Sequence, residues 1–130
     1  MGGERYLLDT NAIIALLRGN RALLNRLKEA EWVGISILSH IEFLAFPNLS
    51  EEDIRYFGQL LERVDVVGLD RAQSQLIDRI VQVRQQHRLK LPDAIIAATT
   101  LQYSATLITE DQQLRSISGL TTFGCDLASQ

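Results

Sequence analysis

Short apolar runs alternate along this chain with longer stretches whose apolar residues recur every three or four positions. The first kind reads as buried strand, the second as amphipathic helix. Tyr6-Leu7-Leu8 is a strand that ends at Asp9, and Ala12 to Leu17 is the helix that follows, broken at Gly19 and Asn20. Leu23, Leu24 and Leu27 mark the apolar face of a second helix, Arg21 to Ala30. Trp32 to Ser36 is a second strand, and ILSHIEFLAF is a helix stopped by Pro47-Asn48. Ser50 is placed as the N-cap of the next helix, with Glu51, Glu52 and Asp53 in the first turn, where the helix dipole favours acids. VDVVGL is a third strand. Asp70 with Gln73 reads as a variant capping box, opening a helix that turns Leu76, Ile77, Ile80 and Val81 inward. LPDAIIAATTLQY is a helix with Pro92 in its first turn. ATLIT is a fourth strand, EDQQLRSI a short helix, and Thr121 to Phe123 a fifth strand.

Alternating strands and helices predict an α/β fold, a three-layer α/β/α sandwich around a parallel sheet of four to five strands. The sequence shows no internal repeat, low-complexity segment or linker, so residues 1–130 are expected to form a single domain. In such open sheets, sites form beyond the carboxyl ends of the strands, near the point where strand order switches.

Composition narrows the class. Hydrophobic residues make up 46% and charged residues 22%, an ordinary globular balance. The longest purely apolar run, Ala12 to Leu17, is far short of the ~20 residues of a membrane span. The N-terminus carries no secretory pattern, and Tyr6 stands where a myristoylation signal wants Ser or Thr. The one cysteine, Cys125, cannot form an internal disulfide, and with only His40 and His87 a Cys/His zinc site is not expected. The cytoplasm is the expected compartment. A net charge of −3 argues against a nucleic-acid partner on average. Locally the sign reverses, because Arg79, Arg84, His87, Arg88 and Lys90 follow one another with no acid between them. Such a stripe acts within a Debye length of about 10 Å.

Acids fall where the fold would bring them together. Asp9 ends the first strand, Asp111 follows the fourth, Glu42 lies in the helix after the second, and Asp93 lies in the first turn of its helix. All four are candidates for one rim. Each has a plainer reading: Asp9 as an N-cap, Glu42 as the partner of Ser39 in a capping box, Asp93 and Asp111 as dipole-favoured first-turn acids. Glu110 competes with Asp111. Against the capping-box reading, Glu42 is surrounded in sequence by Ile41, Phe43, Leu44, Ala45 and Phe46, which leaves it little solvent face. Carboxylates crowded together repel, and a hard divalent cation such as Mg²⁺ or Mn²⁺ reverses that. It would also acidify a water and offset charge on a phosphoryl group.

YLLDTNAIIALL, ISILSHIEFL, LKLPDAIIAATTL and ATLITEDQQL together resemble the PIN domain, in particular the VapC-type toxins of bacterial toxin–antitoxin pairs. The resemblance covers nearly the whole chain, and LKLPDAIIAATTL is its most specific piece. It implies a Rossmann-like parallel sheet flanked by helices, and an acidic site of Asp9, Glu42, Asp93 and Asp111 supported by Asn11 and Thr109. It further implies Mg²⁺- or Mn²⁺-dependent endoribonuclease activity, with a second copy of the chain and a small antitoxin as partners. On that reading Asp9 and Asp93 are the principal metal ligands, Asp111 completes the cluster, and Glu42 is a further ligand or general base. Arg84, His87, Arg88 and Lys90 would contact the RNA backbone, or would simply be cations favoured at a helix end. Apolar residues such as Phe43, Phe46 and Phe57 belong to the core or to a partner surface.

Rival readings remain. A haloacid-dehalogenase-type phosphatase wants a second Asp where Asn11 stands. A receiver domain wants a late Lys, and the last one is Lys90. A non-catalytic RNA- or protein-binding module on the same fold would need none of this chemistry.

Overall fold

In the computed structural model, which describes residues 3–125, the first strand, Arg5–Leu8 (β1), lies at the centre of the sheet. Then come Thr10–Leu17 (α1), Arg21–Lys28 (α2), Trp32–Ser36 (β2), Ile37–Leu44 (α3), Glu51–Leu61 (α4) and Asp65–Val67 (β3). Ser74–His87 (α5) and Leu91–Gln102 (α6) lead to Thr106–Ile108 (β4), Gln112–Arg115 (α7) and Thr122–Phe123 (β5). The strands run in the order β3-β2-β1-β4-β5, and every pairing is parallel. The expected α/β architecture is therefore present, with five strands.

Alternation along β1 divides the core in two. Leu7 faces α5 and α6, meeting Leu76, Ile80, Val83, Ala94, Ala97 and Ala98. Tyr6 and Leu8 face the other way, toward Ala12 and Ile13 of α1, Leu23 of α2, Phe43 of α3 and Phe57 of α4. Helices thus cover both faces of the sheet. Alanines give α6 a thin buried side that packs close to the strands. Its Thr99 and Thr100 satisfy their buried hydroxyls by donating to the carbonyls of Ile95 (2.6 Å) and Ile96 (2.8 Å).

Local chemistry moves several expected boundaries. The first helix begins at Thr10 rather than Ala12, because Asp9 caps it and draws the polar pair Thr10-Asn11 into the first turn. Ser36, not Ser39, caps α3, its hydroxyl accepting from the Leu38 N–H at 3.1 Å. The expected Ser50 cap is present as a full capping box with Asp53. The Asp70–Gln73 pair does not open α5. The Gln73 side chain accepts from the Asp70 N–H and Asp70 accepts from the Ala72 N–H, which builds a turn, and the helix begins one residue after Gln73. That phase buries Leu76, Ile80 and Val83 and leaves Ile77 and Val81 at the surface, correcting the inward placement of those two. Phe43 and Phe57 are core and stack on each other at 4.2 Å, whereas Phe46 is exposed.

At the opposite edge of the sheet from the strand carboxyl ends, Trp32 lies over Gly34 on its own strand. The indole stacks on Tyr103 (5.2 Å, 8° between planes), donates to Asp65 at 2.6 Å and carries the Arg5 guanidinium at 4.9 Å. A Cβ on Gly34 would collide with that ring. Gly34→Ala is therefore expected to destabilise the fold by about 1–3 kcal/mol through overpacking. Urea unfolding followed by the fluorescence of Trp32, the one tryptophan, checks it; an unchanged midpoint and emission maximum would contradict it.

Candidate active site

Asp9 continues β1 by one residue, its N–H donating to the Ile108 carbonyl at 3.0 Å, then turns the chain into α1. Both its carboxylate oxygens are held. Oδ1 accepts from the Thr10 N–H (2.9 Å) and Oδ2 accepts from Thr109 Oγ1 (2.7 Å). Thr109 is fully buried just past β4, and its hydroxyl also accepts from the Asp111 N–H at 3.0 Å. Asp111 in turn caps α7, its Oδ1 accepting from the N–H groups of Gln113 (2.9 Å) and Leu114 (3.2 Å). The ends of two adjacent parallel strands are thus tied through one hydroxyl. They lie where the chain switches from building one half of the sheet to the other, the position at which such folds form sites.

Glu42 enters from α3. Its Oε1 accepts from Thr10 Oγ1 at 3.3 Å. Asp93 enters from the first turn of α6, which follows Lys90 and Pro92. Charge links all four acids. Burial raises the Asp9 carboxyl above its ordinary value, its hydrogen bonds from Thr109 and Thr10 oppose this, and Asp111 adds repulsion. Partial burial raises Glu42, Asp9 and Asp93 repel it further, and Thr10 opposes. Asp93 is raised by partial burial and by Asp111 and Asp9, against the pull of Lys90. The structure therefore brings Asp9, Glu42, Asp93 and Asp111 to one edge of the sheet.

Several sequence readings are corrected or sharpened here. Glu42 is exposed, as are Ile41 (58%) and Leu44 (46%), so lack of solvent face is not what constrains it. Nor is it capped to Ser39, whose buried Oγ has no hydrogen-bond partner among the described residues. Glu110 points away from the acids: its carboxylate accepts from the Cys125 N–H and lies 4.0 Å from Arg115. Asp111 is the one of the two whose charge reaches Asp9 and Asp93. Asn11 Oδ1 accepts from the Glu110 N–H at 3.2 Å, which pins the loop after β4 to α1. Arg84 and His87 occupy the last turn of α5, Arg88 is its left-handed C-cap (φ 54°), and Lys90 is the N-cap residue of α6. Among the described residues none of these four forms an ion pair, and Lys90 acts on Asp93. Thr10 was missed by sequence reading. Its place between Asp9 and Asn11 was the available signal, but nothing there shows which way a hydroxyl points.

The family profile described as PIN domain matches residues 6–120. The chain belongs to the PIN-domain family. No curated protein matches it. Its structure aligns with a chain of a toxin–antitoxin complex from Klebsiella pneumoniae at 29% identity and a TM-score of 0.71, covering 90% of this chain and 96% of that one. It aligns with VapBC-1 from nontypeable Haemophilus influenzae at 24% identity and TM-score 0.75, covering 94% and 98%. With VapBC2 from Rickettsia felis, solved bound to a DNA fragment from its promoter, the values are 17%, 0.75, 92% and 98%. The fold is thus that of the VapC-type PIN domains, which are generally nucleases and generally use divalent metal ions. Among the described residues no helix is long and apolar enough to cross a membrane.

A divalent ion fits the donor chemistry. Every acid at the edge offers hard carboxylate oxygen, three of the four are raised by burial and further by neighbouring acids, and Lys90 opposes this at Asp93. Among the described residues no three His, Cys, Asp or Glu side chains are drawn together closely enough to chelate an ion as they stand. An ion that keeps several of its own waters, as Mg²⁺ does, suits that spacing.

These raised carboxyls set the sign of a stability effect. The folded chain holds protons at Asp9, Glu42 and Asp93 that the unfolded chain has already released. Stability from this source is complete below the ordinary carboxyl range, about pH 4, and is lost as pH rises through the raised values. In EDTA, Asp93→Asn should therefore gain stability relative to wild type as pH rises from about 4 to about 7, because the variant loses the carboxylate whose charge the folded chain disfavours. Thermal melts across that range check it; a difference independent of pH would contradict it.

Proposed function

We propose that residues 1–130 form a single domain acting as the toxin of a type II toxin–antitoxin pair, an endoribonuclease dependent on Mg²⁺ or Mn²⁺. One observation carries the reading: Asp9, Glu42, Asp93 and Asp111 share one edge of a PIN fold, where burial and the neighbouring acids raise the carboxyls of Asp9, Glu42 and Asp93. Membership of the family supports nuclease chemistry, and the likeness to a toxin–antitoxin complex supports a small antitoxin as partner. A second copy of the chain is a further proposed partner, and the cytoplasm the proposed compartment.

Asp9 and Asp93 would hold the ion, with Asp111 completing the set. When bound, the ion supplies Lewis-acid chemistry, lowering the pKa of a water and offsetting charge that gathers on a phosphoryl group. Glu42 would add a further ligand to the ion, directly or through water; exposed and with a raised carboxyl, it is also suited to orient the attacking water and take its proton. Thr109 fixes the Asp9 oxygen from behind, and Asn11 fixes the loop that carries Asp111. Lys90, at the rim, would meet an RNA phosphate, with Arg84, His87 and Arg88 extending the basic track along the end of α5.

Purified protein with RNA should cleave when Mn²⁺ is supplied and stop on chelation. Asp93→Asn should lose roughly 100-fold or more of the rate, on the scale of removing one charge-stabilising group, while its circular dichroism stays native. Cleavage by that variant at the wild-type rate would overturn the site. Mn²⁺ binding without cleavage of any RNA would favour a non-catalytic module instead.

A further inference from the structure

Thr10 is nine-tenths buried and makes two contacts with the acidic edge. Its N–H donates to Asp9 Oδ1 at 2.9 Å and its hydroxyl donates to Glu42 Oε1 at 3.3 Å. A threonine within a helix usually spends its proton on the carbonyl one turn earlier. Thr99 and Thr100 of α6 do so. Thr10 is the first residue of α1, so the residue four positions before it lies in β1 and the helical acceptor does not exist. Its one proton is left for Glu42. The branched Cβ restricts the rotamer and so aims the hydroxyl.

Glu42 needs such a hold. It stands on an exposed part of α3, and Asp9 and Asp93 both repel it. Among the described residues no basic side chain pairs with it. Without a donor the long side chain would relax toward solvent and away from the other acids. With one, it is fixed relative to Asp9, because a single residue serves both.

We infer that Thr10 is the positioning residue for Glu42: its hydroxyl holds that carboxylate over the acidic edge and couples it to Asp9. The inference rests on the metal-dependent ribonuclease reading of the same edge.

The test is a double-mutant cycle of Thr10→Val and Glu42→Gln, with Thr10→Ser as the rescue. Mn²⁺ affinity is read from the electron paramagnetic resonance signal of free Mn²⁺, and RNA cleavage is read as kcat and KM separately. Thr10→Val should weaken Mn²⁺ binding by about 10-fold, as loss of an outer support to a ligand does, and lower kcat with little change in KM. Thr10→Ser keeps the hydroxyl and should restore both to within about twofold of wild type on that scale. In the Glu42→Gln background, Thr10→Val should add no further loss, because its effect passes through that carboxylate. Thr10→Val indistinguishable from wild type, equal losses with and without the Glu42 carboxylate, or no rescue by serine would each overturn the assignment. Wild-type protein that neither binds Mn²⁺ nor cleaves RNA would overturn the ribonuclease reading and this inference with it.

Discussion

The constraint on this site is the gathering of four carboxylates at one sheet edge, where burial first and repulsion second disfavour the charges of Asp9, Glu42 and Asp93. Asp9, Glu42, Asp93 and Asp111 come from four different segments, and among the described residues none of them forms an ion pair. What restrains Asp9, Glu42 and Asp111 instead is neutral donors: the Thr109 and Thr10 hydroxyls and backbone N–H groups at the starts of α1 and α7. A neutral donor orients a carboxylate without cancelling its charge. The edge therefore stays negative and organised at once, which is what a site awaiting a cation requires.

The sheet supplies the rigidity. β1 is flanked by β2 and β4 and buried on both faces, so Asp9 leaves it at a fixed height and Thr109 leaves β4 beside it. Leu7 and its neighbours under α5 and α6 hold one side, and Tyr6, Leu8 and the Phe43–Phe57 stack hold the other. Asp93 depends on α6 lying close to the strands, and the run of small residues Ala94, Ala97 and Ala98 permits that approach. Crowding at the edge thus draws on stability generated in the core, the usual relation between a strained site and its scaffold.

The architecture was largely legible in the sequence, because buried strands and amphipathic helices differ in period and a run of alternating elements leaves few topologies. Element ends were legible only where a side chain acts locally, as Ser50 does with Asp53. They were missed where two local signals competed: Ser39-Glu42 and Asp70-Gln73 both have capping-box spacing, yet Ser36 caps α3 and the Asp70 pair closes a turn. Ile77 and Val81 were misplaced by the same shift of helix phase. At the acidic edge, the residue types were visible but their orientation was not. Sequence alone could not choose between Glu110 and Asp111; geometry sends Glu110 to the Cys125 N–H and Arg115 and directs the charge of Asp111 toward Asp9 and Asp93. The exposure of Glu42 ran against expectation, because the apolar residues beside it, Ile41 and Leu44, are themselves exposed. Thr10 was invisible as a contact because a hydroxyl's partner depends on tertiary placement.

Anomalous diffraction from crystals soaked in Mn²⁺ addresses the central claim most directly. Density for a metal ion among the oxygens of Asp9, Asp93 and Asp111, within direct or one-water reach of each, is the expected result. Mn²⁺ at other surface sites while that edge stays empty at saturating concentration would contradict it.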